Sequence, residues 1–370
     1  MTRAIGIDPG TVSFDLCGLE HGHLFLDESI RTSDVASDPR RLVDLLQRMG
    51  PVDLIIGPSG YGLPWVNVQE MGPKEKGLLL LNREQSPTEA TIIGGLGRVL
   101  DLLKESGLPV RFAPAVIHLP TVPAHRKVNR IDMGTADKVC AVVLGVYDQA
   151  RHLDIAYDET SFFYVELGGA FTAIIAVDGG RIVDGMGGTS GTLGYRSCGA
   201  MDGELACALG DFPKGALGSG GVSYIAGRPD APPERLIAST RSDPQCHLAW
   251  EAFVESLVKG VVTAATVVPS AREILLSGRL CRVPAICRRV ESALRPFGPV
   301  RRVRGFAHVA KEAAQGAALI AEGLAGGKYE RLVDAMQLRD AGGTVLDHLY
   351  VAGVEALRDD YLGQQGRVRR

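Results

Sequence analysis

Aromatic residues are scarce in this sequence. Two Trp and a 6% aromatic share leave too few rings for a platform on which single-stranded nucleic acid would stack. A dominant charge is lacking too: a net charge of −3 offers no general attraction to nucleic acid or to an anionic membrane surface. No run reaches ~18 uncharged apolar residues, so no membrane span is expected. The chain enters a strand at Arg3 to Ile7 without the pattern of a signal peptide. Cysteines are present, at Cys17, Cys140, Cys198, Cys207, Cys246, Cys281 and Cys287. None pair at CxxC spacing and several sit in apolar runs, so they read as small buried hydrophobes in a reducing compartment. The eight histidines form no HxxxH or HExxH pair, which argues against a zinc site. GxxxxGK[ST] is absent, which excludes a P-loop. A cytoplasmic protein is expected.

Glycine is what the sequence has in quantity, 46 residues. The glycines cluster between apolar runs, where a backbone must turn or come close to a ligand. The chain's 370 residues exceed the ~250–300 at which one core stops growing, so two domains are the default. Apolar residues at 45% and charged residues at 22% are ordinary for a globular chain.

Along the chain, RAIGID, VSFDLCGLE and LFLDESI read as three short strands joined by a PGT turn and an HGH turn. A helix opens at Asp38-Pro39 with Leu42, Leu45, Leu46 and Met49 on one face. VDLIIG (52–57) is a buried strand ended by PSGYGLP. The pattern places a helix over about 86–106, opened by Ser86-Pro87 and Glu89, then a short strand at Val110 to Phe112 and a helix over about 135–151. SFFYVELGG, FTAIIAVDGG and RIVDG repeat the opening theme from residue 161, strand–glycine turn–strand–turn–strand. A glycine-rich segment (185–221), a helix over about 247–267 and the strand REILLSGR follow. Then come a helix in CRVPAICRRVESALRP, the strand VRRVRG, a helix in HVAKEAAQGAALIAEGLAG and a last helix over about 344–362. Strands separated by helices suit a sheet with helices packed on it.

The first turn is Asp8-Pro9-Gly10-Thr11. An acid at a strand end can hold Mg²⁺ or its waters, Gly10 lets N–H groups face a phosphate and Thr11 adds a hydroxyl. The second turn, Glu166 to Gly169 with Thr172 entering the next strand, has the same chemistry. Either turn alone reads as a hairpin; two in the same frame shift the balance. Ser277-Gly278 ends a buried strand in a small-residue loop that can pass under an adenine ring. Beside the helix at 135, His125 to Asp132 groups Arg126, Asn129 and Asp132 with further cations. Cations at a helix N-terminus can hold a phosphate or carboxylate, Asp132 can accept a proton from a hydroxyl, and Asp137 can reach the metal or that hydroxyl. A basic surface loop with a helix-favouring Asp137 is the plainer reading. Ser59 and Tyr61 follow a buried strand, where α/β proteins place ligand loops. Gly187, Gly188 and Thr189 lie in a loop rich in N–H donors and hydroxyls, which also reads as a flexible lid. Asp202 and Glu204 read as helix-start acids.

IGIDPGT, VELGGAFT and LLSGR together resemble the two phosphate motifs and the adenosine motif of the acetate-and-sugar-kinase/heat-shock-chaperone/actin superfamily. More narrowly, PSGYGLP, HRKVNRIDMGTADK and HVAKEAAQGAALIAEGL resemble a mostly archaeal family predicted to be butyrate-kinase-like. Two departures stand out: Glu166 where many members carry Asp, Asn or His, and Ser277-Gly278 where many have two glycines. The resemblance implies an α/β fold of two ribonuclease-H-like (actin-like ATPase) domains with an interdomain nucleotide cleft. Residues 1–156 would be the acceptor domain and 157–370 the nucleotide domain, with the last helix packing back on the first.

The function implied is ATP-dependent phosphoryl transfer to a small molecule, a short-chain carboxylate or an alcohol or sugar. An ATP-driven switch or activator is the alternative. ATP and Mg²⁺ are the expected cofactors. Asp8 would serve the metal, with Asp8, Asp132, Arg126 and Asp137 in catalytic roles. Gly10, Thr11, Glu166, Gly168, Gly169, Thr172, Ser277 and Gly278 would hold the nucleotide. Ser59, Tyr61, Asn129, Gly187, Gly188 and Thr189 would face the acceptor. No nucleic acid or membrane partner is expected, and a homodimer is left open.

Overall fold

The computed structural model describes residues 2–81, 95–210 and 212–363. It contains two five-stranded mixed sheets. The first holds β1 (Arg3–Pro9), β2 (Ser13–Glu20), β3 (His23–Arg31), β4 (Leu54–Ile56) and β5 (Val110–Arg111), in the order β3-β2-β1-β4-β5. The second holds β6 (Phe162–Leu167), β7 (Thr172–Asp178), β8 (Arg181–Met186), β9 (Glu273–Ser277) and β10 (Val300–Arg302), in the order β10-β9-β6-β7-β8. In each sheet the first three strands run antiparallel and the last two join the first in parallel. The two sheets therefore share one topology, and even the irregularity repeats: the register slips at Gly18/Leu19 and again at Ala176/Val177.

Two helices lie between the sheets, α1 (Ala136–Leu153) and α2 (Glu312–Leu324). Both are buried almost all round, and one continuous core joins the first sheet, both helices and one face of the second sheet. The small-residue run of α2 has a packing reason. A Cβ at Gly316 would lie 1.7 Å from the Cys140 carbonyl oxygen, so the two helix backbones touch and no larger residue fits. The far face of the second sheet has its own core, built against the helices Pro244–Ala265 and Pro284–Leu294. Cys17, Cys140, Cys246, Cys281 and Cys287 are buried as expected, whereas Cys198 is half-buried and Cys207 exposed. No described helix is long and apolar enough to cross a membrane.

Several elements differ from the sequence reading. The helix expected over 247–267 spans Pro244–Ala265, because Asp243 accepts from the N–H groups of Gln245 and Cys246 and caps it with Pro244 in the first turn. The helix expected over 344–362 is Val354–Leu362. Before it, Thr344 donates to Asp347 and folds a turn, and Arg358 takes the carbonyls of Leu346, Asp347 and Leu349. This last helix packs on the first core through Val354. Of the helix expected over 86–106, Leu96–Glu105 is seen; its Ser86-Pro87 start lies outside the described residues.

Candidate active site

The two glycine turns open onto one cleft of about 1410 Å³, part of it open to solvent. Each turn leaves the first strand of its sheet and enters the second, and the two are built alike. A Cβ at Gly10 would meet the Ser13 carbonyl oxygen at 2.8 Å, and one at Gly168 would meet that of Phe171 at 2.5 Å. A carbonyl thus stands where a side chain would begin in both turns, so only glycine fits, and at Gly10 the Lys311 Nζ stands there too, at 2.8 Å. Gly278 comes against the second turn: at φ +88° a Cβ there would lie 2.5 Å from the Leu167 carbonyl oxygen. Asp8, Gly10, Thr11, Glu166, Gly168, Gly169, Ser277 and Gly278 all line the cleft. Thr172 does not; its hydroxyl is fully buried in β7 without a hydrogen-bond partner.

Charge gathers at the cleft floor. Lys138, in the first turn of α1, sits 2.5 Å from Asp137 Oδ2 and 2.9 Å from Glu166 Oε1. Burial works against the Lys138 ammonium, but the two carboxylates more than offset it and raise its pKa. Burial also raises Asp137, yet Lys138 and the Thr135 hydroxyl hold it below the usual carboxylate range. Glu166 goes the other way, because burial outweighs Lys138, and its Oε2 is buried with no partner. Lys311 lies 2.7 Å from Asp15 Oδ2 and donates to Ser13 Oγ at 2.7 Å, beside the first turn, and lines the cleft.

Asp8 is 7% exposed, and its pKa is pushed up to about 8, chiefly by burial and further by Asp137 and Asp15, against the pull of Lys311 and Lys138. A buried acid raised this far is a group that lacks enough positive charge. Its hard carboxylate oxygens suit Mg²⁺. No group of three or more His, Cys, Asp or Glu among the described residues could hold a metal unaided; Mg²⁺ bound by one or two carboxylates plus substrate phosphates needs none.

Ser59, Tyr61, Asp132, Gly188 and Thr189 also line the cleft, with Leu79, Leu80 and Lys214. Lys214 donates to Leu81 O at 3.0 Å and stands 5.1 Å from the Tyr61 ring centre. Asp132 is a clasp. Its Oδ1 accepts from Gly134 N at 3.1 Å, and its Oδ2 accepts from Thr189 N and Oγ1 at 3.0 and 2.9 Å. Gly187 packs flush against that carboxylate and is not itself a lining residue.

Arg126 and Asn129 also stand outside the cleft lining. Arg126 donates to the Val183 carbonyl at 2.8 Å and ties its segment to β8. Asn129, exposed and at φ +55°, accepts from Tyr350 N at 2.7 Å and holds the C-terminal segment. The cleft instead includes cations that sequence reasoning passed over: Lys138, Lys214, Arg279 and Lys311. Only Lys138 carried a local signal, standing beside Asp137 at a helix start.

A comparison with curated proteins finds no match. Among solved structures, the propionate kinase from Francisella tularensis subsp. tularensis SCHU S4 is similar with a TM-score of 0.59 at 14% identity, covering 85% of this chain and 99% of that one. Porphyromonas gingivalis acetate kinase gives 0.55 at 14%, covering 86% and 98%. Acetate kinase from Entamoeba histolytica gives 0.55 at 10%, covering 80% and 88%. At these identities the likeness is one of fold alone, a two-domain actin-like fold. The family described as "Protein of unknown function (DUF1464)" matches residues 6–351, and the chain belongs to it.

Proposed function

We propose that this protein is an ATP- and Mg²⁺-dependent kinase for a small acceptor, acting in the cleft between residues 1–156 and 157–370. The observation that carries this reading is the pair of like-built turns opening on one cleft, with Asp8 and Lys138 at its floor. The N–H groups of the turns would cradle the β- and γ-phosphates, and Ser277-Gly278 would lie under the base. Asp8 would hold Mg²⁺, which supplies charge neutralisation on the transferring phosphoryl group; Lys138 and Lys311 add fixed positive charge. Phosphoryl transfer needs little covalent chemistry from a protein, so positioning and electrostatics suffice.

The acceptor would sit at the Ser59–Tyr61 end. Leu79, Leu80 and Tyr61 there suit an apolar body. These favour a short-chain carboxylate, whose oxygen is already ionised and needs no general base. An alcohol would need one, and Asp132 already accepts three hydrogen bonds.

The test is ATP consumption measured against short-chain acids, sugars and polyols, with a control lacking acceptor. Acid-dependent consumption is expected. Consumption that no acceptor alters would replace the kinase with an ATP-driven switch, and no ATP binding at millimolar concentration, followed by calorimetry, would remove both.

A further inference from the structure

Lys311 reaches the cleft from a stretch that has no regular structure of its own, residues 303–311 between β10 and α2. Five consecutive N–H groups of that stretch point at two side chains. Gln315 Oε1 accepts from Phe306 N at 2.7 Å and Ala307 N at 3.1 Å, while Gln315 Nε2 donates back to Ala310 O at 2.8 Å. Asp27 takes the next three. Its Oδ2 accepts from His308 N at 2.8 Å, both oxygens accept from Val309 N at 3.1 Å, and Oδ1 accepts from Ala310 N at 2.7 Å.

Asp27 is on β3, which pairs with β2, the strand that follows the first turn, and it does not line the cleft. Its carboxylate nevertheless fills a concavity of three successive N–H groups, an arrangement that favours an anion. The very next residue is Lys311, whose ammonium lines the cleft beside the first turn and bonds Ser13 and Asp15 there. A lysine side chain has several rotatable bonds, so its place depends on where the backbone starts it.

We infer that Asp27 is a positioning residue for Lys311, fixing the His308–Ala310 backbone so that the ammonium stands at the phosphate side of the cleft. This rests on the nucleotide reading above. Asp27→Asn is close in shape but loses one acceptor oxygen and turns an NH₂ toward N–H donors, so the stretch can no longer be held on both sides.

The experiment is a double-mutant cycle on the full-length protein, with the Kd for Mg·ATP measured by calorimetry. D27N and K311A should each raise Kd about tenfold, and the double variant should be no weaker than K311A. Penalties that multiply in the double variant would show that Asp27 acts without Lys311. A D27N protein with a lowered thermal midpoint and unaltered Kd would reduce Asp27 to a structural tie. If D27N does not fold, D27E enters the same cycle: its arm is one methylene longer, so Kd should rise, and the rise should vanish in K311A; no rise, or one that persists, overturns the assignment. Failure of the unsubstituted protein to bind Mg·ATP would instead overturn the nucleotide reading and this role with it.

Discussion

Lys138 and Glu166 meet at 2.9 Å, one on the helix between the sheets and the other on the second sheet. Because Lys138 serves Asp137 as well, removing it strands two enclosed carboxylates. Lys138→Met should cost about 3 kcal/mol of stability, the scale for breaking a buried pair from one side. Millimolar Mg²⁺ should restore part of that loss by supplying positive charge to the same oxygens. Urea unfolding with and without Mg²⁺ reads both effects, and an unchanged midpoint would mean the pair is solvated and unimportant.

Asp8→Asn should separate metal from nucleotide. The Asp8 carboxyl is pushed up to about 8, first by burial. Neutralising it therefore should not weaken the fold at pH 9, where the native protein must keep the charge buried. ATP should still bind, but the gain in affinity on adding Mg²⁺ should disappear. Calorimetric titrations with and without Mg²⁺ check this; a Mg²⁺ response equal to the native one would leave Asp8 a turn residue.

Gly187→Ala probes the Asp132 clasp. The new Cβ would lie 1.7 Å from Asp132 Oδ1, so the carboxylate must leave Thr189. The loss should be about 2 kcal/mol, the scale for unsatisfied buried polar groups and overpacking. Thr189→Ser, which keeps the hydroxyl, should stay near the native midpoint in thermal melts. Equal effects from the two substitutions would argue against the clasp.

Acid stability should depend on His118. It is 3% exposed, its Nδ1 accepts from Ala115 N at 3.0 Å, and burial lowers its pKa to about 4 from the ordinary 6.5. Between those values the unfolded chain binds the proton that the folded one refuses. The stabilisation is thus fully present above pH 6.5 and drains away as pH falls toward 4, up to about 3 kcal/mol over that window. His118→Gln should flatten the slope of stability against pH there, as measured by denaturant unfolding at a series of pH values.

The frame of the molecule was legible because it is written locally. Alternating strands, the Asp8-Gly10 and Glu166-Gly168 turns and the His21-Gly22 and Gly179-Gly180 turns announce two like meanders without knowledge of the partner. The charges of the cleft were not legible. Lys311 matters because a strand three hundred residues earlier ends beside it, and nothing in HVAKEAA states that. Arg126 and Asn129 show the same limit. Their basic neighbourhood suggested a ligand, while their actual partners, the Val183 carbonyl and the Tyr350 N–H, are backbone groups distant in sequence. The final helix was overextended because Leu346 and Leu349 fit a helical period, and the Arg358 contacts with that stretch are invisible to periodicity.

The common topology of the two sheets has an outcome that neither sheet has alone. Asp8 and Glu166 occupy like places, yet Glu166 is bound to a lysine and the Asp8 carboxylate has no such partner among the described residues. One copy of the acid is paired within the protein while the carboxylate of the other is not. A structure built from matching halves would have no front or back; this difference of one partner gives the cleft a direction. In the proposed reaction it would set which half receives the metal, and so which way a phosphoryl group would travel.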